Sequence, residues 1–157
     1  MTVKYIPEGY HTVTPYLIVK EPKQALEFYK KAFGAKELHR MDDGQGGIMH
    51  AEFQIGDSKV MMAGEYPDMG ALSPQTIGGT PVGLCLYVEN VDEMFQQALA
   101  AGGTERRAVQ NQFYGDRSGT VEDPFGHKWT IATHIEDLTL EEVEQRAAKM
   151  TQKSQQG

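Results

Sequence analysis

The sequence predicts an α+β fold of two tandem βαβββ modules followed by one C-terminal helix. Three observations carry this. Two stretches, starting at Thr14 and at Val82, run through the same order of a β-rich segment, a helical segment and three strand-like segments. Landmarks recur at an offset of about 68–70 residues, with Val19 answering to Val88, Gly34 to Gly102 and Gly56 to Gly126. Between the stretches lies "GEYPDMGALSPQTIGGTP" (64–81), rich in glycine and proline as a connection should be. The expected layout is a single domain with modules at about 12–65 and 82–135, a linker at 64–81 and a C-terminal helix at about 139–151.

Each element has its own signal. "TPYLIV" (14–19) is short and β-rich. In "KEPKQALEFYKKAFGAKE", Pro22 suits a first helical turn and Gly34 a C-terminal cap. Ala25, Leu26, Tyr29, Ala32 and Phe33 recur between them at helical spacing as one apolar stripe. Strand-like runs at 36–41, 47–55 and 58–63 follow, separated by the turn signals "DDGQGG" and "GD". The second module repeats the order. "VGLCLYV" is β-rich, and "ENVDEMFQQALAAGGTE" is a helix with a capping box at Asn90 and Glu93 and a stop at Gly102. Runs near 105–112, 115–122 and 129–134 complete it, with "DPFG" as the last turn. In "IEDLTLEEVEQRAAKM", Thr139 and Glu142 form a capping box and Leu138 and Val143 occupy staple positions. Leu140, Val143, Ala147 and Met150 mark the expected buried side of that helix, and "TQKSQQG" is expected to fray.

Composition narrows the function classes. The 157 residues are 24% charged and 39% hydrophobic, an ordinary globular balance. A net charge of −7 argues against nonspecific nucleic-acid binding but leaves room for a small anionic ligand in a local pocket. Cys85, the single cysteine, rules out an intramolecular disulfide and cysteine-cluster metal sites. No apolar run approaches the roughly 20 residues of a membrane span, and "MTVKYIPEGYHTVTPYL" lacks the apolar centre of a secretory signal. A soluble cytoplasmic protein without nucleic-acid or membrane partners is expected.

The double pattern, with "LEFYKKAFGAKE" in the first half and "DPFGHKW" before the last strand, resembles the vicinal-oxygen-chelate superfamily. That group includes glyoxalase I, the extradiol dioxygenases and the bleomycin and fosfomycin resistance proteins. "MHAEFQIGD" (49–57), "FYGDRSGTVEDPFGHKW" (113–129) and "IATHIEDLTLEE" (131–142) are closest to its PhnB-like subgroup. The resemblance covers about residues 12–150. It implies curved mixed sheets around a cavity, each with its helix on the convex side, and modules commonly paired between the chains of a homodimer. It also implies, in catalytic members, one divalent metal held by His and Glu on the first and last strands of each module. Carried over residue by residue, those positions fall near Thr14, Gly83 and Thr130, and "SKVMMA" (58–63) contains no carboxylate. Glycine offers no side chain, methionine prefers soft metals and threonine is a rare ligand, so no metal is expected at the family's positions.

The candidate site is read from "GIMHAEFQIG" (47–56). Alternation puts Met49, Ala51, Phe53 and Ile55 on a helix-packed face, and Ile48, His50, Glu52 and Gln54 towards the cavity. The same parity turns Thr120 and Glu122 inward, at positions related to His50 and Glu52, with Thr14, Tyr16, Cys85, Tyr87 and Thr130 completing the lining. His50 and Glu52 read as ligand contacts or an acid–base pair, as a structural hydrogen-bonded pair, or as part of a non-family metal site. Tyr114 offers a flat face and a hydroxyl, and Arg117 a bidentate grip on a carboxylate or phosphate. The alternative for Arg117 is an ion pair with Asp116 or another acid at a dimer seam. His134 is expected at an exposed strand end, His127 in a turn, Trp129 in the core and Cys85 as a packed thiol. Phosphate-loop, nucleophile-elbow and dinucleotide motifs do not occur. The reading is a small-molecule-binding protein using His50, Glu52, Tyr87, Tyr114, Arg117 and Thr130, with no cofactor and a homodimeric partner. The alternative is a divalent-metal-dependent lyase or dioxygenase with a non-standard ligand set, so whether the chain is an enzyme stays open.

Overall fold

The computed structural model describes residues 2–156. Its first half runs β1 (Tyr16–Val19), α1 (Pro22–Phe33), β2 (Lys36–Asp42), β3 (Ile48–Ile55) and β4 (Ser58–Gly64). A 3₁₀ turn at Pro67–Met69 and the short α2 (Pro74–Ile77) cross to the second half. That half runs β5 (Gly83–Tyr87), α3 (Val91–Ala100), β6 (Thr104–Asn111), β7 (Asp116–Glu122) and β8 (Lys128–His134), followed by α4 (Leu140–Gln156). The halves form two four-stranded sheets of one topology, β1-β4-β3-β2 and β5-β8-β7-β6. In each, the first strand pairs in parallel with the last, and the other pairs are antiparallel. The expected α+β tandem architecture is what forms.

The helix signals act as read. Gly34 adopts φ 68° and its N–H donates to Lys30 O at 3.1 Å, closing α1. Asn90 Oδ1 accepts from Glu93 N at 3.1 Å, opening α3. The apolar stripe of α1 lies fully buried, and α1 packs along α3, so one face of each sheet is covered by a long helix; the other, called helix-free below, has only the short α2 at the margin of β1. The halves share one core. Phe33 and Trp129 bring their rings to 4.7 Å, and Tyr29 lies between Phe53 at 5.2 Å and Trp129 at 5.3 Å.

At the centre of this core is a carboxylate. Asp123, 4% exposed, opens the "DPFG" turn. Its Oδ1 accepts from the backbone N–H groups of Phe125 and His127, both at 2.9 Å. Its Oδ2 accepts Tyr29 Oη at 2.6 Å and Trp129 Nε1 at 2.9 Å. Four donors compensate its loss of water, and one of them, Tyr29, comes from the other half. Burial, followed by the Asp123 carboxylate, pushes the Tyr29 phenol well above its ordinary range.

Three expectations about packing fail, each for a local reason. Met49 was expected on the helix-packed face and Ile48 in the cavity; instead Met49 is 43% exposed and Ile48 is buried. Met41 pairs with His50 and Asp42 with Ile48, so Met49 is the extra residue of a β-bulge and parity inverts before His50. In α4, Leu140 is 74% exposed and Met150 half-exposed, because the helix is anchored mainly at Arg146, which pairs with Glu136 at 3.0 Å and donates to Phe113 O. Nor does its end stop at 151. The helix continues to Gln156, with the Thr151 and Ser154 hydroxyls donating to the carbonyls of Ala147 and Met150.

Candidate functional site

The strand pairings superimpose the halves residue by residue. Leu17, Met62 and Ala51 form one rung of the first sheet, and Leu86, Ile131 and Gly119 the matching rung of the second. His50 therefore corresponds to Ser118 and Glu52 to Thr120, two residues from the expected match with Thr120 and Glu122. The hairpin lengths explain the slip. Ile55 pairs with Ser58 across two residues, whereas Asp123 bonds to His127 across three, so matching Gly56 to Gly126 overshoots.

On the helix-free face of the first sheet, His50 and Glu52 stand on β3 as alternation requires, with Tyr16 reaching in from β1. Tyr16 Oη and His50 Nδ1 share a hydrogen bond of 2.8 Å, and His50 Nε2 lies 3.8 Å from Glu52 Oε1. Tyr10, from the segment before β1, donates its hydroxyl to Glu52 Oε1. Burial, and then this bond to Glu52, push the Tyr10 phenol up to about 12. Nothing in the sequence around Tyr10 signalled this role, because the contact spans 42 positions. Beside the polar set lies a cup of about 490 Å³ walled by Tyr16, Ile18, Met49, Tyr66 and Met69.

On the helix-free face of the second sheet the polar residues are different. Asp116, nearly buried, accepts Tyr87 Oη on Oδ2 at 2.7 Å and bonds His134 Nδ1 through Oδ1 at 2.8 Å. The other nitrogen of His134, Nε2, lies 2.9 Å from Asp137 Oδ1. The bonds to Asp116 and Asp137 hold the His134 imidazole above its ordinary range. Burial works to raise the Asp116 carboxyl, yet the bonds from His134 and Tyr87 hold it below the usual range. Its bond to Asp116 pushes the Tyr87 phenol up to about 12. A groove of about 750 Å³ passes Cys85, Tyr87 and His134 on one side and Ile55 and Ser58 on the other. Thr120 and Thr130 bond each other at 3.1 Å on this same face.

The candidates from the sequence thus divide. His50 and Glu52 come together on the first sheet, while Tyr87 and Thr130 stand on the second, with Tyr114 half-exposed beside Tyr87. Arg117 points the other way. Unbroken pairing of β7 with β8 places it on the helix side, where it grips Asp92 with two bonds of 2.8 and 2.9 Å and donates to Asn111. Asp92, in the first turn of α3, is the acid that holds it. His134 is half-exposed as expected, but its two carboxylate partners were not foreseen. His127 is structural, its Nε2 lying 3.0 Å from Ile18 O. Cys85 is exposed rather than packed, since β5 is an edge strand with a helix-free face, and partial burial together with Asp116 pushes its thiol up.

At the positions where the resemblance places metal ligands stand Thr14, Gly83 and Thr130. Thr14 bonds the carbonyl of His11, Gly83 has no side chain and Thr130 is paired with Thr120. Among the described residues, no group of three or more His, Cys, Asp or Glu side chains converges as a metal cage would. Nor, among them, is any helix long and apolar enough to cross a membrane.

Comparison with known proteins gives these faces a family. A family model described as the glyoxalase/bleomycin resistance protein/dioxygenase superfamily matches residues 10–131. The uncharacterized protein Mb0911c of Mycobacterium bovis is 38% identical over 135 residues, 84% of this chain and 89% of its own length. Among solved structures, TioX from Micromonospora sp. ML1 superimposes with a TM-score of 0.62 at 26% identity, covering 82% of this chain and all of TioX. A putative 3-demethylubiquinone-9 3-methyltransferase, the PhnB protein of Bacillus cereus, gives 0.60 at 18% identity over 78% of this chain and 99% of its own, a likeness of fold alone. Twin βαβββ halves, a family match across both sheets and these relatives lead to one conclusion: the chain belongs to the glyoxalase/bleomycin resistance protein/dioxygenase superfamily, the vicinal-oxygen-chelate fold.

Proposed function

We propose that the chain binds a small organic molecule against the helix-free face of its first module, without the metal that catalytic relatives use. The observation carrying this reading is the Tyr16–His50–Glu52–Tyr10 set at the side of a cup of about 490 Å³, convergent polar groups next to apolar walls. The donor chemistry at the family's metal positions supports the metal-free part. Replacing His50 by alanine is expected to weaken ligand binding about tenfold, the loss of one hydrogen-bonding partner. Metal content of protein purified without added metal should stay far below one ion per chain, before and after the substitution. Stoichiometric metal that His50→Ala removes would instead establish a metal-dependent lyase or dioxygenase using His50, Glu52 and donors of a partner chain.

We further propose a cytoplasmic homodimer in which the first module of one chain faces the second module of the other. β1 and β5 each leave one edge unpaired within the chain, which assembly would cover. The expected residues Tyr87, Tyr114 and Thr130 would then join His50 and Glu52 around one cavity. Light scattering across micromolar concentrations should give twice the chain mass; a constant monomer mass rules the arrangement out.

A further inference from the structure

We propose that the segment ahead of β1, residues 2–14, is a strap that closes over Glu52 on the first-module face, latched by the Tyr10 hydroxyl and clasped by Lys59. The inference goes beyond the ligand-binding reading, because it concerns access to the face and holds whatever the face binds.

The segment forms no helix or strand, yet part of it lies on the sheet. Pro7 O accepts from Tyr10 N at 3.0 Å, and Gly9, at φ 79°, turns the chain so that the Tyr10 side chain reaches Glu52 on β3. Lys59, on β4, reaches the same turn from the sheet. Its ammonium donates to Glu8 O at 2.9 Å and sits 4.7 Å from the centre of the Tyr10 ring. A Cβ at residue 9 would lie 2.5 Å from that ammonium, so glycine there also lets the lysine close across the turn.

Few other contacts hold the segment. Its chain joins the sheet ladder only at Pro15, whose carbonyl accepts Met61 N at 2.9 Å. Among the described residues, Glu8 O and the Tyr10 hydroxyl make the only hydrogen bonds from residues 2–14 to the sheet. Lys4 with Glu8, and Thr14 with His11 O, are contacts internal to the segment. Val3, Tyr5 and Val13 are almost wholly exposed. A segment with so few buried contacts opens well before the core does. One charge-assisted hydrogen bond favours its closed form about tenfold, enough to keep it shut and too little to fix it.

What the latch occupies gives the strap a role. Glu52 Oε1 accepts Tyr10, and the same oxygen lies 3.8 Å from His50 Nε2. While the strap is closed, the phenol holds the oxygen that the histidine approaches, and the Glu52 side chain is only about one-fifth exposed. Burial, and then Glu52, push the Tyr10 phenol up to about 12, so it remains a donor at neutral pH. Coupling is then reciprocal. A group that takes Glu52 Oε1 releases the strap, and a released strap leaves that oxygen free.

Two measurements on the full-length protein read the two ends of the latch, and neither needs a ligand. The first is chymotrypsin cleavage after residue 10, with cleavage after the exposed Tyr5 as reference. In the wild type, cutting after residue 10 should be about tenfold slower than after Tyr5. Tyr10→Phe keeps the cleavage site and deletes the latch hydroxyl, and Lys59→Met deletes the clasp. Each should raise cutting after residue 10, relative to Tyr5, about tenfold. The second is modification of carboxylates by a carbodiimide with glycine ethyl ester, located by peptide mass spectrometry. Both variants should speed modification of Glu52 about tenfold, while Glu141 on α4 keeps its rate and the buried Asp123 stays unmodified, as an intact fold requires. Equal cutting after residues 5 and 10 in the wild type would mean that the strap is not closed. If Tyr10→Phe changes neither readout, the latch is wrong. If Glu52 is modified faster but cutting after residue 10 does not change, Tyr10 only caps a carboxylate and the strap falls.

Discussion

The two helix-free faces have the same backbone and opposite chemistry. On the second, Asp116 is engaged twice, by Tyr87 and by His134, and His134 is engaged again by Asp137. That set is closed on itself and braces β5, β7 and β8 together. On the first, Glu52 is held by Tyr10 through one oxygen, and the cup that Tyr16 helps to wall is open and apolar. A duplicated fold therefore need not duplicate a site. What is repeated is the register of strands; which residues stand on it decides whether a face is a brace or a receptacle.

The largest way to break the comparison is to remove what both faces depend on. Asp123→Ala would leave Tyr29, Trp129 and two backbone N–H groups without their buried acceptor, and it is expected to cost about 3–5 kcal/mol in urea unfolding. A cost below about 1 kcal/mol would mean the halves are held by apolar packing alone.

Next comes a swap of matched positions. Ala51 and Gly119 occupy equivalent rungs, yet a Cβ on Gly119 would meet Phe95 at 2.8 Å, Val109 at 2.9 Å and Arg107 O at 3.0 Å. Gly119→Ala should destabilise by about 1–3 kcal/mol through overpacking, and Ala51→Gly by roughly 0.5–1 kcal/mol through backbone entropy and a lost methyl. Equal effects would show that the second sheet does not lie closer to its helix than the first. Thermal unfolding of the two variants distinguishes the outcomes.

The smallest effect concerns pH. His134 has a folded-state value raised above 6.5 by Asp116 and Asp137, so its protonation favours the native state. That contribution is complete below about pH 6.5 and fades as the pH rises through the raised folded-state value. The advantage of the wild type over His134→Ala in melting temperature should therefore shrink on going from pH 6 to pH 8. Asp116, held low, keeps its side of the pair until the pH falls below its ordinary 3.8.

These contrasts also show what could be read from sequence. Periodicity, turns and caps are local signals, so both modules, the caps at Gly34 and Asn90 and the buried stripe of α1 were legible. His50 and Glu52 were legible because two-residue alternation holds from His50 to Ile55. One residue earlier it fails, since a bulge is decided by pairing with β2 and leaves no mark around Met49 itself. Arg117 stood between a ligand grip and an ion pair, and the unbroken β7–β8 ladder turns it to the helix side, where Asp92 holds it. Tyr10, Asp116 and His134 were missed as a group because their partners lie on other elements. Chemistry assembled across strands is visible only once the register is known.

Asp123 has a consequence for how such a chain could arise. Its carboxylate belongs to the second half, but one of the hydrogens that make it tolerable in the interior belongs to Tyr29 of the first. An ancestral single module, duplicated and fused, would have begun with two interchangeable copies. Once the acid in one copy came to rely on a phenol in the other, the copies stopped being interchangeable. Either half expressed alone would expose the aromatic surface that the other now covers, and Asp123 would keep three of its four donors but lose the Tyr29 hydroxyl.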